Sequence, residues 1–241
     1  MALLEVSGVG KRYGGLYAVR DVSLQVDEGR IVGVIGPNGA GKTTLFSLIA
    51  GAVPANTGRV VFAGEDVTGM RSFRICERGL ARTFQVTKPF LDLTVLENVT
   101  TAAFLRKPNV RAAADKAEAV LKFVGLGHRI RAESRSLGTA ERKRLELARA
   151  LATEPRLLLL DEVMAGLTPL ETGQVVDLVR EIRAQGVTVL LVEHVMQAVM
   201  ALCEEILVLH QGELLARGTS AEIAAHPAVI EAYLGKAYAH A

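Results

Sequence analysis

Cysteine is scarce in this chain, with only Cys76 and Cys203 among 241 residues. Two are too few for a disulfide framework, so a reducing compartment is expected. No Cys/His spacing of the zinc-binding kind occurs. No apolar run reaches the ~18 residues of a membrane span. The N-terminus, MALLEVSGVGKRYGG, turns polar and glycine-rich before a secretion-signal core can form. The net charge is only +2, too small to imply a nucleic-acid partner. Internal repeats, low-complexity tracts and an Asn-Lys-x-Asp guanine-reading motif are also missing. What remains is a chain expected to be soluble and cytoplasmic. Half of it is hydrophobic, enough for one large domain or two lobes at roughly 150 residues each.

Residues 2–7 and 16–26 alternate apolar and polar, as half-buried antiparallel strands do. RIVGVIG (30–36) is a continuous apolar run ending in glycine, which suits a strand buried on both faces. A short helix, LFSLIAG, is closed by Gly51, and GRVVFAG reads as a strand. From about 88 to 152 the texture changes. VLENVTTAAF, RAAADKAEAVLKFVG and AERKRLELARALA all have helical spacing, so a helical subdomain is inserted into an α/β core. RLLLLD, VTVLLVEH and the hairpin EILVLHQGELLARG resume the strands, with LETGQVVDLVREIRAQG and MQAVMALC as helices. Alternating buried strands and helices predict a parallel, doubly wound sheet. The domain is expected to span 1–235, with 236–241 as a tail that frays.

Gly36-Pro37-Asn38-Gly39-Ala40-Gly41-Lys42-Thr43, followed by Thr44, fits G-x-x-x-x-G-K-[ST]. In such a P-loop the backbone N–H groups curl around phosphates, the lysine reaches the β/γ-phosphates and the threonine hydroxyl ligates Mg²⁺. A buried strand before it and a helix after it supply the required context. LLLLDE ends at Asp161-Glu162, two carboxylates at the tip of a buried strand, where ligands bind in such sheets. Asp161 would hold Mg²⁺ and Glu162 would polarise an attacking water; the plainer reading is an acidic turn. His194 ends another strand. It is either an ordinary surface or satisfied core histidine, or a residue that contacts the γ-phosphate or holds the attacking water.

These residues resemble the ATP-binding subunits of ABC transporters over nearly the whole chain. The resemblance implies a P-loop NTPase (RecA-like) core, an N-terminal antiparallel β subdomain and an inserted α-helical signature subdomain. KRYGG looks like the family's aromatic loop, implying that Tyr13 stacks on adenine. ARTFQ resembles the loop whose glutamine, here Gln85, touches Mg²⁺ and senses the membrane partner. Asp161, Glu162 and His194 fall on the Walker B aspartate, the catalytic glutamate and the switch histidine. On spacing alone, Tyr13 and Gln85 are ordinary surface residues.

The family's Leu-Ser-Gly-Gly-Gln signature, which binds the γ-phosphate of a partner's ATP, falls on Leu137-Gly138-Thr139-Ala140-Glu141. The serine is replaced by glycine, and two side chains stand where backbone alone should approach. Thr139 either substitutes for the serine or caps the helix, and Glu141 brings negative charge toward a phosphate. After the catalytic glutamate, Thr168 replaces the usual aspartate. Arg129, Arg131, Arg135, Arg142, Lys143 and Arg144 crowd one region. Interleaved glutamates and the lack of stacking aromatics favour a solvated helix face over a nucleic-acid patch.

YGGLYAV, GLARTFQ, LARALATEPRLLLLDEVMAGL and VIEAYLG are most similar to the ATPases of branched-chain and hydrophobic amino-acid importers. The resemblance implies ATP and Mg²⁺ as cofactors and membrane permeases as partners, with a substrate-binding protein acting indirectly. It places the chain peripherally at the cytoplasmic face of the membrane. A second ATPase subunit is expected, heteromeric because of the altered signature, with a homodimer as the other option. Amides or urea are alternative cargoes. Two other classes are an ABC ATPase uncoupled from transport and a nucleotide-binding regulatory subunit with little turnover. Phe90, Leu91 and Leu93, beside a proline, form either the coupling surface or a small core under the helical lobe.

Overall fold

The computed structural model describes residues 2–85 and 87–234. Strand β1 (Ala2–Tyr13) pairs antiparallel with β2 (Leu16–Asp27). The first strand therefore runs past residue 7, where its alternation stops. Register shifts between Val6 and Val9, Val9 and Lys11, and Lys11 and Arg12 explain the difference. A bulge inserts an unpaired residue, so a strand can continue after its period of two is lost. Next come β3 (Ile31–Ile35) and α1 (Lys42–Ile49). β4 (Thr57–Phe62) returns to pair with β1, and β5 (Glu65–Asp66) pairs with β4, giving the antiparallel order β2-β1-β4-β5.

α2 (Ser72–Glu77) and β6 (Leu80–Arg82) follow. Neither is visible in the apolar pattern, because six and three residues are too short to display a period. The helical region holds α3 (Val95–Ala103), α4 (Val110–Phe123) and α5 (Thr139–Ala152). Their starts are chemically marked. Thr94 accepts from the Glu97 N–H at 3.2 Å while the Glu97 carboxylate accepts from the Thr94 N–H at 2.7 Å. Asn109 accepts from the Ala112 N–H at 2.9 Å. Such caps satisfy donors that the first helical turn leaves free.

The core resumes with β7 (Leu157–Asp161), α6 (Pro169–Ala184), β8 (Thr188–Val192), α7 (Met196–Leu202), β9 (Glu205–His210) and β10 (Glu213–Gly218). Two short helices, α8 (Ser220–Ala225) and α9 (Pro227–Leu234), follow. The tail expected at 236–241 lies outside the described residues. The second sheet has the order β10-β9-β3-β8-β7-β6, parallel except for the β9–β10 hairpin.

Both faces of this sheet are covered, which explains its unbroken apolar runs. Ile31, Ile35, Leu158, Leu160, Val189 and Leu191 face a core shared with α3–α7. Val32, Val34, Leu157, Leu159, Leu190 and Val192 face the opposite core, with α1 and the antiparallel sheet. Each fully buried leucine contributes about 1.5–3 kcal/mol relative to exposure. The functional consequence is directional. β3, β7 and β8 are parallel, so the P-loop, Asp161-Glu162 and Glu193-His194 leave the sheet at the same edge. β3 lies between β8 and β9, the kind of switch point where such sheets open a crevice. Among the described residues, no helix is long and apolar enough to cross a membrane.

Candidate functional site

Glycine is required at two P-loop positions by close approach. A Cβ on Gly36 would stand 2.1 Å from the Leu209 carbonyl oxygen, and one on Gly41 would stand 2.3 Å from that of Ala18. The β9–β10 turn buttresses the loop: the Gly212 N–H donates to Ala40 O at 3.0 Å, and the Arg20 N–H to Gly212 O at 2.7 Å. Gly41 is the N-cap of α1 and supplies no side chain, and the first turn contains no acidic residue. The N–H groups of that turn are therefore left for an anion. Lys42 is a buried residue, and its ammonium donates to Gly36 O at 2.7 Å and Pro37 O at 3.0 Å. Burial lowers its pKa from the ordinary lysine value; Glu162 and Asp161 oppose that shift.

A cavity of about 600 Å³ runs from the β1–β2 hairpin across the P-loop to Glu162 and His194, within the size range of ligand pockets. Asn38 through Thr44 border it. Tyr17 supplies its aromatic wall, and Tyr13 lies outside the lining. Tyr17 is already engaged by Arg20 and Arg12, whose guanidinium carbons are 4.8 and 5.5 Å from the ring centroid. Tyr13, half exposed, has Lys11 at 5.3 Å.

Glu162 is held from two sides. Gln85 Nε2 donates to its Oε2 at 2.6 Å, and His194 Nε2 lies 2.8 Å from its Oε1. Two side chains distant in sequence, Gln85 and His194, thus converge on one carboxylate. Asp161 is fully buried. Its Oδ2 accepts from Arg82 Nη2 at 2.7 Å, whereas its Oδ1 has no hydrogen-bond partner. A second cavity of about 380 Å³ brings Asp161 and Gln85 together with Thr43, which borders both cavities. Among the described residues no cluster of three His, Cys, Asp or Glu could hold a metal alone. One unpartnered carboxylate oxygen near a threonine suits Mg²⁺, which takes one or two protein ligands and completes its shell with phosphate and water.

The signature residues Leu137–Glu141 do not line the P-loop cavity. Gly138, rather than Thr139, is the N-cap of α5, and Thr139 is the first helical residue. The capping role considered for Thr139 is therefore not realised. Glu141 replaces it by reaching back, its Oε2 accepting from the Gly138 N–H at 3.0 Å. Its Oε1 is ion-paired with Arg129 at 3.1 Å. Thr168 does cap its helix: Oγ1 accepts from the Glu171 N–H at 3.3 Å, a role an aspartate would also fill.

The basic cluster is only in part the solvated face read in the sequence: Arg131 and Arg135 are exposed, whereas Arg142, Lys143 and Arg144 are half-buried. Arg135 pairs with Asp92 and Glu133, Arg144 donates to Val124 O at 3.2 Å, and Lys143 donates to Gln85 O at 3.1 Å and Glu162 O at 2.9 Å. Long cationic side chains can fold back along a helix to reach carbonyls, which helical spacing does not reveal. Glu193 was also missed. It is buried, accepts from the Met164 N–H at 2.8 Å, and burial pushes its carboxyl up to about 7, with the charge of Glu162 adding to the shift. A charged residue directly after VTVLLV was the available signal. Phe90 and Leu91 are half exposed, whereas Leu93 is partly buried.

A family model described as ABC transporter matches residues 19–165. A second, described as branched-chain amino acid ATP-binding cassette transporter, matches residues 213–239. The chain is 40% identical over 253 residues to the high-affinity branched-chain amino acid transport ATP-binding protein BraF of Pseudomonas aeruginosa, covering 98% of each. It is 38% identical over 251 residues to the corresponding protein LivG of Escherichia coli, again with 98% of each covered. A crystal structure of a nucleotide-free ATP-binding cassette from an ABC transporter matches with a TM-score of 0.90 at 30% identity, over 98% of this chain and 100% of that one.

Proposed function

The chain belongs to the ATP-binding subunits of ABC transporters, and from that premise we propose that it hydrolyses ATP to drive an importer of branched-chain or other hydrophobic amino acids. The cargo is supported by the transport named for BraF and LivG and by the C-terminal family match. The observation that carries the chemistry is the Glu162 carboxylate, clasped by Gln85 and His194 at the mouth of the cavity that holds Lys42.

The proposed sequence follows from these positions. The N–H groups from Asn38 to Thr44 receive the phosphates, and Lys42 exchanges two backbone carbonyls for β/γ-phosphate oxygens. The Thr43 hydroxyl and Asp161 Oδ1 would hold Mg²⁺, with the Gln85 side chain beside them. When bound, Mg²⁺ neutralises charge on the transferring phosphoryl group. Glu162 accepts the proton of the attacking water, and His194 orients that carboxylate and the γ-phosphate. Gln85 is the switch in this reading: its amide occupies Glu162 and must let go for full basicity. Phe84 beside it and Phe90 and Leu91 a few residues later in the chain are half exposed, supporting permease docking near this loop.

A heteromeric partner fits the signature loop best. The Gly138 N–H is already satisfied by Glu141, so one backbone donor facing a partner's ATP is committed internally. A second ATPase subunit with an intact signature would complete the site built on this chain's Lys42 and Glu162. A substrate-binding protein would deliver cargo to the permeases.

Reconstitution with the permeases and second ATPase subunit in vesicles tests this reading. ATP-dependent leucine uptake is expected, with Glu162→Gln slowing hydrolysis ~10²–10⁴-fold, the usual worth of general-base help. Uptake of amides or urea in place of leucine would reassign the cargo. Parent-like hydrolysis by Glu162→Gln would remove Glu162 as the base.

A further inference from the structure

We propose that Lys143 is a positioning residue that ties the signature helix to the hydrolytic carboxylate of the same chain. The inference rests on Glu162 being the general base. It begins with an unusual backbone. Glu162 has φ 50°, a left-handed conformation that a residue with a β-carbon adopts only when its surroundings hold it there. Its N–H is fixed by Val192 O at 2.9 Å. Its carbonyl receives a long bond from the Ala165 N–H at 3.3 Å and a shorter one from Lys143 Nζ at 2.9 Å. Among the described residues Lys143 is thus the closest donor to that carbonyl, and it comes from outside the strand and turn that contain Glu162.

The same ammonium donates to Gln85 O at 3.1 Å, and Gln85 Nε2 in turn donates to Glu162 Oε2 at 2.6 Å. Lys143, Gln85 and Glu162 therefore close a ring of three contacts, two of them made by one cation. Lys143 lies on α5, one turn beyond Thr139. A shift of the start of that helix would move the ammonium and, through it, the backbone of both Gln85 and Glu162. Position at the signature loop is in this way read out at the opposite nucleotide site on the same chain.

The cation is costly to place there. It is partly buried, and burial lowers its pKa from the ordinary lysine value; Glu193, Glu162, Asp161 and Glu146 oppose the shift. A partly desolvated ammonium persists where carbonyls replace its water, and here two do. A cation needed only for solubility would extend into solvent.

The test uses the full chain, assembled with its second ATPase subunit and the permeases, carrying Lys143→Met, which keeps the stem and removes the donors, or Lys143→Arg, which keeps a cation. Single-turnover hydrolysis, nucleotide binding followed with a fluorescent ATP analogue, and thermal unfolding are measured on each. Lys143→Met should lower the hydrolysis rate at least tenfold, with nucleotide affinity within twofold of the parent and an unchanged unfolding midpoint. Lys143→Arg should recover part of the rate. A parent-like rate in Lys143→Met overturns the proposal. So does a loss of affinity or stability parallel to the loss of rate, or a loss that arginine does not relieve. Glu162→Gln, run alongside, separates the two readings. A fully active Glu162→Gln removes Glu162 as base, whereas an active Lys143→Met beside an inactive Glu162→Gln removes only the tie.

Discussion

Arg82 and Asp161 share a buried ion pair of 2.7 Å that uses only one of the two aspartate oxygens, the other being buried without a partner. Arg82 also donates to Ser47 Oγ at 3.0 Å, so β6, α1 and β7 meet at this guanidinium. The pair holds Asp161 still while leaving its other oxygen for the proposed Mg²⁺.

Removing the arginine should therefore be expensive. Arg82→Ala leaves a buried carboxylate without a counter-ion, and breaking such a pair costs about 3–5 kcal/mol. Urea unfolding should show a loss of that order, and Mg²⁺ with nucleotide should stabilise the variant more than the parent. An unfolding curve identical to the parent's would mean that the pair contributes nothing.

Adenine stacking separates Tyr13 from Tyr17. Tyr17 lines the cavity, but two guanidinium groups already occupy its ring. Tyr13 has only Lys11 nearby among the described contacts and sits beside the Gly14-Gly15 turn. We expect Tyr13→Ala to weaken ATP binding by about 1–3 kcal/mol, the worth of one base–aromatic stack, and Tyr17→Ala to weaken it less. Titration with a fluorescent nucleotide decides; the reverse ranking would assign the stack to Tyr17.

Glu193 makes stability depend on pH. Its carboxyl is raised from 4.5 to about 7 in the folded chain, so between those values the native state binds the proton more tightly than the unfolded state does. Its contribution is fully present below the unfolded value and is lost as pH rises through the folded one. Glu193→Gln cannot ionise. The variant should gain stability relative to the parent as pH rises from about 5 to about 8. Denaturation midpoints at four pH values check this, and parallel profiles would refute it.

Glu141 is expected to set the strength of the signature loop. Glu141→Gln keeps an acceptor for the Gly138 N–H but removes a full charge at a helix start. That change is worth about 0.3–1 kcal/mol toward an anion. ATP-dependent self-association should rise about two- to fivefold on that basis. Replacing Gly138 with Ser and Thr139 and Ala140 with Gly should raise it further. Light scattering in ATP measures both, and vigorous dimerisation of the unmodified chain would remove the case for a heteromer.

Much of this protein was legible before any coordinate. The P-loop declares itself because its glycines answer to local backbone geometry and lie between a buried strand and a helix start. LLLLDE and VTVLLVEH were readable because a strand covered on both faces must be apolar throughout, so its first polar residues mark the sheet edge. The long helices were readable from their period. Short or bulged elements were not, since β6 has three residues and β1 changes register three times after Val6.

The sequence by itself determined the α/β core, the P-loop pattern and the two carboxylates at the end of β7, because each depends on local spacing or on burial of a continuous run. Tertiary structure alone decided which side chains meet. Gln85 and Glu162 are 77 residues apart, Arg82 and Asp161 are 79 apart, and the Lys143 carbonyl acceptors lie 58 and 19 residues away. A long cationic or amide side chain carries no periodic trace of its partner. Its direction is set by the packing of α5, β6 and β7, where burial forces each charge to find an acceptor.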